Sequence, residues 1–228
     1  MKNSMIIIKK QFKDTLKNKT ILIQFILFPI MTLIMENAIQ MEEMPEHFFT
    51  KLFSVMYIGM APLTSVASII SEEKEKNTLR VLLMANVKPW QYLIGVGIYV
   101  WSICMIGACV MATGLPIQDI VVYLLIMAVG FVISILVGAC IGIYAKNQMS
   151  ATSLVMPIMM ILSFLPMLAM FNDKIEKVAK YFFTQQLKIC LNGMSVIGHS
   201  NETYIVLIIN LMVALIIFGL TFKKKGLE

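Results

Sequence analysis

The chain has 228 residues, 59% of them hydrophobic and only 14% charged, with a formal net charge of +6. Its mean hydropathy is +0.83. A water-soluble domain is about 45–50% apolar and about 25% charged, so no soluble fold of this length hides so much apolar surface. The class that remains is an all-α integral membrane protein, whose helices satisfy their own backbone hydrogen bonds in lipid.

Residues 1–19 hold six lysines among Met5, Ile6, Ile7, Ile8, Phe12 and Leu16. Positions 5, 8, 12 and 16 share one helical face. That pattern predicts an interfacial helix with its lysines toward anionic headgroups. It equally suits a plain positive flank that orients the first span. A cleaved signal peptide is not expected.

Six apolar runs follow, Thr20–Ile39, Leu52–Ser71, Pro89–Leu115, Ile120–Ala145, Met149–Phe171 and Thr203–Phe222. Each has about 20 residues or more, enough to cross a hydrocarbon core of about 30 Å. Six crossings leave both termini on one side. If that side is the cytoplasm, 14 of the 19 Lys and Arg lie inside, along with 5 of the 13 acidic residues. The positive-inside rule therefore predicts a cytoplasmic N-terminus and a cytoplasmic Lys223–Lys225 tail.

Between the fifth and sixth runs, residues 172–202 hold two apolar segments, each too short to span. Ile175, Val178, Ala179, Phe182 and Phe183 make one apolar stripe, and Leu187 to Ile197 is a second short apolar run. Outer re-entrant helices, or helices lying on the surface, are expected there. Gly138 and Gly142 in the fourth run form a GxxxG pair suited to close helix contact. Pro157 and Pro166 in the fifth run are candidate bends. Twenty methionines offer adaptable apolar surface, suited to a lipophilic substrate or to ordinary lipid-facing packing.

What the runs lack narrows the function. No Asp, Glu, Lys, Arg or His lies deep within any of them, whereas proton relays and many ion-coupled carriers keep such residues at a cost of about 2.5–3.5 kcal/mol each. His47 and His199 fall in outer loops. Cys104, Cys109 and Cys140 lie within spans and Cys190 in an outer segment, with no metal or disulfide spacing. No phosphate-binding GxxxxGK[ST] motif is present, so any ATP that drives this chain is hydrolysed by another. No catalytic residue, metal or nucleic-acid partner is expected.

The segment Ser71 to Gly95, SEEKEKNTLRVLLMANVKPWQYLIG, is short, charged and locked between two spans. It must sit in water at one face. Asn77 or Thr78 can cap a short helix. Leu79, Leu82, Leu83 and Val87 recur at helical spacing, with Arg80 and Lys88 on other faces, and Pro89 suits the first turn of the next span. Such an amphipathic hairpin seeks either a groove on a soluble partner or the headgroup layer.

These residues resemble the segment EKExGTLExLLxxPVxxxxxLxGK of ABC type-2 transporter permeases, the membrane subunits of ATP-binding-cassette exporters. Glu73, Lys74, Glu75, Thr78, Leu79, Leu82, Leu83, Val87 and Gly95 match it position by position. Asn77 stands where glycine is common, Arg80 where glutamate is, Asn86 where proline is, and Val96 where lysine is. The N-terminal helix and the 172–202 segment are also similar to the family's connecting and outer re-entrant helices.

The resemblance implies a single transmembrane domain over residues 1–228, with a coupling segment at 72–88. It implies a complex of two permeases, a second copy or a paralogue, with two ATPase subunits that carry ATP and Mg. ATPase-coupling roles would fall to Glu73, Glu75, Asn77, Thr78, Leu79, Leu82, Leu83 and Val87, with the two glutamates meeting basic residues of the ATPase. The implied setting is a bacterial plasma membrane, and the implied cargo is a drug or an amphipathic peptide such as a phenol-soluble modulin. A non-transporting immunity or sensor protein that binds a toxic peptide, and an autonomous ion-coupled carrier, are the rival readings. Neither has a use for a coupling helix.

Overall fold

A computed structural model describes residues 2–15, 19–39, 45–195 and 200–225. Ten α-helices and no strand occur among them. Leu16, Ile197 and His199 lie outside the described residues. In chain order the helices are α1 (Lys2–Thr15), α2 (Lys19–Ala38), α3 (Phe48–Glu75), α4 (Thr78–Met84) and α5 (Pro89–Met111). They continue with α6 (Ile117–Tyr144), α7 (Gln148–Leu168), α8 (Asp173–Ala179), α9 (Phe183–Gly193) and α10 (Asn201–Lys225). A single 3-10 turn, Ala112–Gly114, extends α5.

Five of these, α3, α5 with its 3-10 turn, α6, α7 and α10, are long and apolar enough to cross a membrane. The expected first span is α2. Its apolar stretch among the described side chains is Leu22–Ala38, about 25 Å at 1.5 Å per residue. Helix α3 runs past the expected end of its span at Ser71, so Glu72 to Glu75 form its last turn rather than a loop.

The bundle is built around α3, which packs against α2, α5, α6, α7 and α9. Tyr57, Ile58, Ala61, Leu63, Ala67 and Ile70 are fully buried along it. Small residues on its neighbours allow this crowding. A Cβ added at Gly138 would sit 2.4 Å from the Leu63 carbonyl oxygen, and one at Gly142 would sit 2.8 Å from the Ile70 Cβ. The GxxxG pair of α6 is therefore the seam with α3, as its spacing predicts. Buried hydroxyls join the same helices. Ser134 Oγ donates to the Ile58 carbonyl at 2.6 Å, and Ser54 Oγ and the Tyr123 hydroxyl lie 2.6 Å apart.

At the end of the bundle away from α4, α9 inserts between α3, α6, α7 and α10. Phe183, Leu187, Cys190 and Leu191 are buried. Of the expected stripe, Ala179 and Phe183 are buried, Ile175 and Phe182 half-buried, and Val178 exposed. Lys188 is buried and donates to the Pro166 carbonyl at 2.7 Å, near the C-terminal end of α7. Burial pushes its ammonium down from the usual lysine range, and the charge of Glu176 offsets part of that. Both prolines of α7 lie within one continuous helix.

Candidate functional site

The chain reverses between α3 and α5 within thirteen residues, and local chemistry explains how. Lys76 closes α3, its N–H bonding to the Glu72 carbonyl at 3.0 Å. Asn77 then takes φ 54°, in the left-handed region. Glycine adopts that conformation without a Cβ penalty, and asparagine is the side chain that tolerates it best. Thr78 Oγ1 donates back to the Glu73 carbonyl at 3.2 Å. Helix α4 then runs for seven residues. Asn86, at φ 61°, makes a second left-handed step, and Pro89 opens α5 at its first position.

Three consecutive side chains of this turn reach three different helices. Glu73 is buried. Its Oε1 accepts from Gln11 Nε2 of α1 at 2.6 Å and is ion-paired with Lys10. Lys74 Nζ donates to the Ile143 carbonyl at 2.8 Å, in the last turn of α6. Glu75 Oε2 accepts from the backbone N–H of Gln148, the first residue of α7, at 2.8 Å. Each charge has the sign its target requires. A cation suits the carbonyl-rich end of a helix and an anion suits the amide-rich start, each worth about 0.3–1 kcal/mol. The Tyr92 hydroxyl of α5 is buried beside Glu73. One further pair, Lys76 with Glu72, staples the outer side of the turn, and the hydrogen bond that Lys76 donates to the Glu72 carboxylate holds its ammonium above its usual range.

The expectation that Glu73 and Glu75 point to a partner's basic residues meets a different geometry, because the chain itself supplies partners for both. Long-range pairing of this kind carries no signal in a single sequence, since the partners lie 62 and 73 positions away. The leucine stripe is likewise directed inward. Leu79 is 1% exposed, and Leu82, Leu83 and Val87 are half-buried against the core. An amphipathic helix tethered beside a bundle buries its stripe on that bundle. Thr78 is half-buried, and Asn77 is exposed. The face of α4 left to solvent holds Arg80, Val81 and Met84, with Val81 59% and Met84 71% exposed.

On the other side of the turn, α1 packs against α5. Ile7 and Gln11 turn toward the bundle, whereas Met5 and Phe12 stay exposed. Among the described residues, no three His, Cys, Asp or Glu side chains gather as metal ligands. The turn thus joins α4 to α3 and α5 through the backbone, and the end of α3 to α1, α6 and α7 through three side chains.

Residues 2–223 match the family described as ABC-2 family transporter protein. No curated protein matches the sequence.

Proposed function

Because this chain belongs to the ABC-2 family of transporter proteins, a family of permeases whose ATPase resides on a separate subunit, we propose that it is the permease of an ATP-driven exporter in a bacterial plasma membrane. In this reading it has six spans and cytoplasmic termini, and pairs with a second permease. It moves a lipophilic or amphipathic cargo, either a drug or a toxin-like peptide such as a phenol-soluble modulin. ATP and Mg are held by the partner ATPase, which seats α4.

The observation that carries this reading is the turn at residues 72–88, where one exposed helix is wired to five others by charge and backbone. A protein that only binds a peptide has no need of that wiring. The exposed Arg80, Val81 and Met84 are the contact surface for the ATPase, and Leu79 is the anchor that keeps α4 on the bundle. Glu73, Glu75, Asn77, Thr78, Leu82, Leu83 and Val87 shape and support the turn.

The test is co-purification with the ATPase, together with transport-coupled ATP hydrolysis. Val81→Asp/Met84→Asp should lower ATPase retention at least tenfold while leaving the permease as stable as wild type, since both positions are exposed. Leu79→Ala should instead destabilise the permease itself, by about 2–5 kcal/mol for a buried leucine. Full retention and full coupled activity in the double aspartate variant would remove α4 as the transmission element. Peptide binding without any ATPase partner would point to an immunity or sensor protein.

A further inference from the structure

On the side of the bundle formed by α5, α6 and α10, an open groove of about 350 Å³ lies between the helices. Helices α5 and α10 each pack on α6. Leu93, Gly97 and Trp101 form one wall, Val132 and Ala139 lie on the floor, and Phe218 stands opposite. Every lining side chain is apolar apart from the indole N–H of Trp101, which donates to the Ala128 carbonyl at 3.2 Å. The groove therefore offers a guest no polar atom, only shape and apolar contact.

Its mouth is different. Leu93, near the start of α5, and Phe218, near the end of α10, line the same groove, so these two helix ends lie together. Lys88 precedes Leu93 by five residues, and Lys223 and Lys224 follow Phe218 by five and six. At 1.5 Å per residue, all three lysines stand about 7–9 Å beyond the groove, on the same side, and all are exposed. Trp90, 52% exposed, sits at this level as well, where tryptophan marks the headgroup region of a bilayer.

We propose that the groove holds one acyl chain of an anionic phospholipid, with the headgroup engaged by Lys88, Lys223 and Lys224. An apolar slot facing hydrocarbon, with three cations one headgroup-depth away, matches that molecule in both shape and charge. The proposal rests on the membrane character of the chain alone and is independent of any transport activity.

The chain's two tryptophans both lie at this site and supply the readout. In the full-length protein carrying Trp90→Phe, Trp101 is the sole tryptophan, excited selectively over the tyrosines, and it lines the groove. The protein is reconstituted in phosphatidylcholine vesicles containing a minor fraction of brominated-chain phosphatidylglycerol or brominated-chain phosphatidylcholine, and bromine quenches indole on contact. Half-maximal quenching should need at least about fivefold less of the anionic lipid, the factor that a single lysine near a headgroup supplies.

Lys88→Ala/Lys223→Ala/Lys224→Ala should bring the two curves together while leaving quenching itself intact. Gly97→Leu should fill the slot. A Cβ there meets Ile135 Cγ2 at an ordinary 3.6 Å, so the side chain enters the groove without forcing α6 aside, and quenching by both lipids should fall severalfold. Equal curves for the two lipids in the unmodified groove would overturn the proposal in favour of unselective surrounding lipid. Absence of quenching by either would overturn it in favour of a protein surface, such as a second copy, sealing the groove.

Discussion

At the scale of single residues, Asn77 and Asn86 are two departures from the family's segment that call for different substitutions. Both have positive φ, 54° and 61°. Asn77→Gly moves toward the family pattern and suits its conformation, so its thermal unfolding in detergent should match or slightly exceed wild type, within about 1 kcal/mol. Asn86→Pro also moves toward that pattern. Proline is locked near φ −65°, and the substitution also removes the N–H that bonds to the Leu83 carbonyl at 3.2 Å. It should cost about 3 kcal/mol or force the turn to rebuild, and an unchanged midpoint would contradict the left-handed step at this position. The same contrast shows what was legible in the sequence. The residue types announce a helix start at 77, although the Asn77 side chain makes no capping hydrogen bond there, and nothing in them distinguishes a left-handed asparagine at 86 from an ordinary one.

At the scale of elements, hydropathy located the apolar helices to within a few residues because burial in lipid writes itself into long runs. The Gly138–Gly142 spacing named the tight face of α6 for the same kind of local reason. Which helix meets that face was not readable, since it depends on the packing of the whole bundle around α3. The direction of α4 was not readable either. A stripe at 79, 82, 83 and 87 marks one face of a helix, and only the tether to α3 and α5 turns that face inward. The α3–α6 seam is the element-level feature most open to test. Gly138→Ala would bring a Cβ within 2.4 Å of the Leu63 carbonyl oxygen, so the helices must separate. The expected loss is about 1–3 kcal/mol, read as a lower midpoint of thermal unfolding in detergent. Gly219→Ala, whose Cβ would meet nothing within 4 Å, is the control and should not lower that midpoint, and would raise it if anything, because alanine is the better helix former.

At the scale of the whole molecule, the asymmetric distribution of lysines is the sequence's strongest statement, and it concerns orientation rather than shape. The two ends of the bundle are chemically distinct. One carries the α3–α4–α5 turn, Lys146 and the end of α10. The other carries Glu46, α8 and the start of α10. Single cysteines placed at Lys76 and Lys224 in a cysteine-free background should resist a membrane-impermeant thiol reagent added to intact cells. Those placed at Glu46 and Asn201 should react. The reverse pattern would invert the topology and remove the surface on which a cytoplasmic ATPase is expected to dock.

The contact between Glu75 and the first residue of α7 has a further consequence, in hydrogen exchange. The opening N–H groups of a helix have no acceptor within it, so the Gln148 amide owes its protection from deuterium to a carboxylate on another helix. Glu75→Ala should accelerate exchange at that amide while leaving the interior of α7 unchanged. Loading of the ATPase onto α4 should alter the same amide without touching it, because the turn at 72–88 stands between them. One backbone proton, followed by mass spectrometry on the unlabelled complex, would then report whether the force applied at one helix arrives at the next.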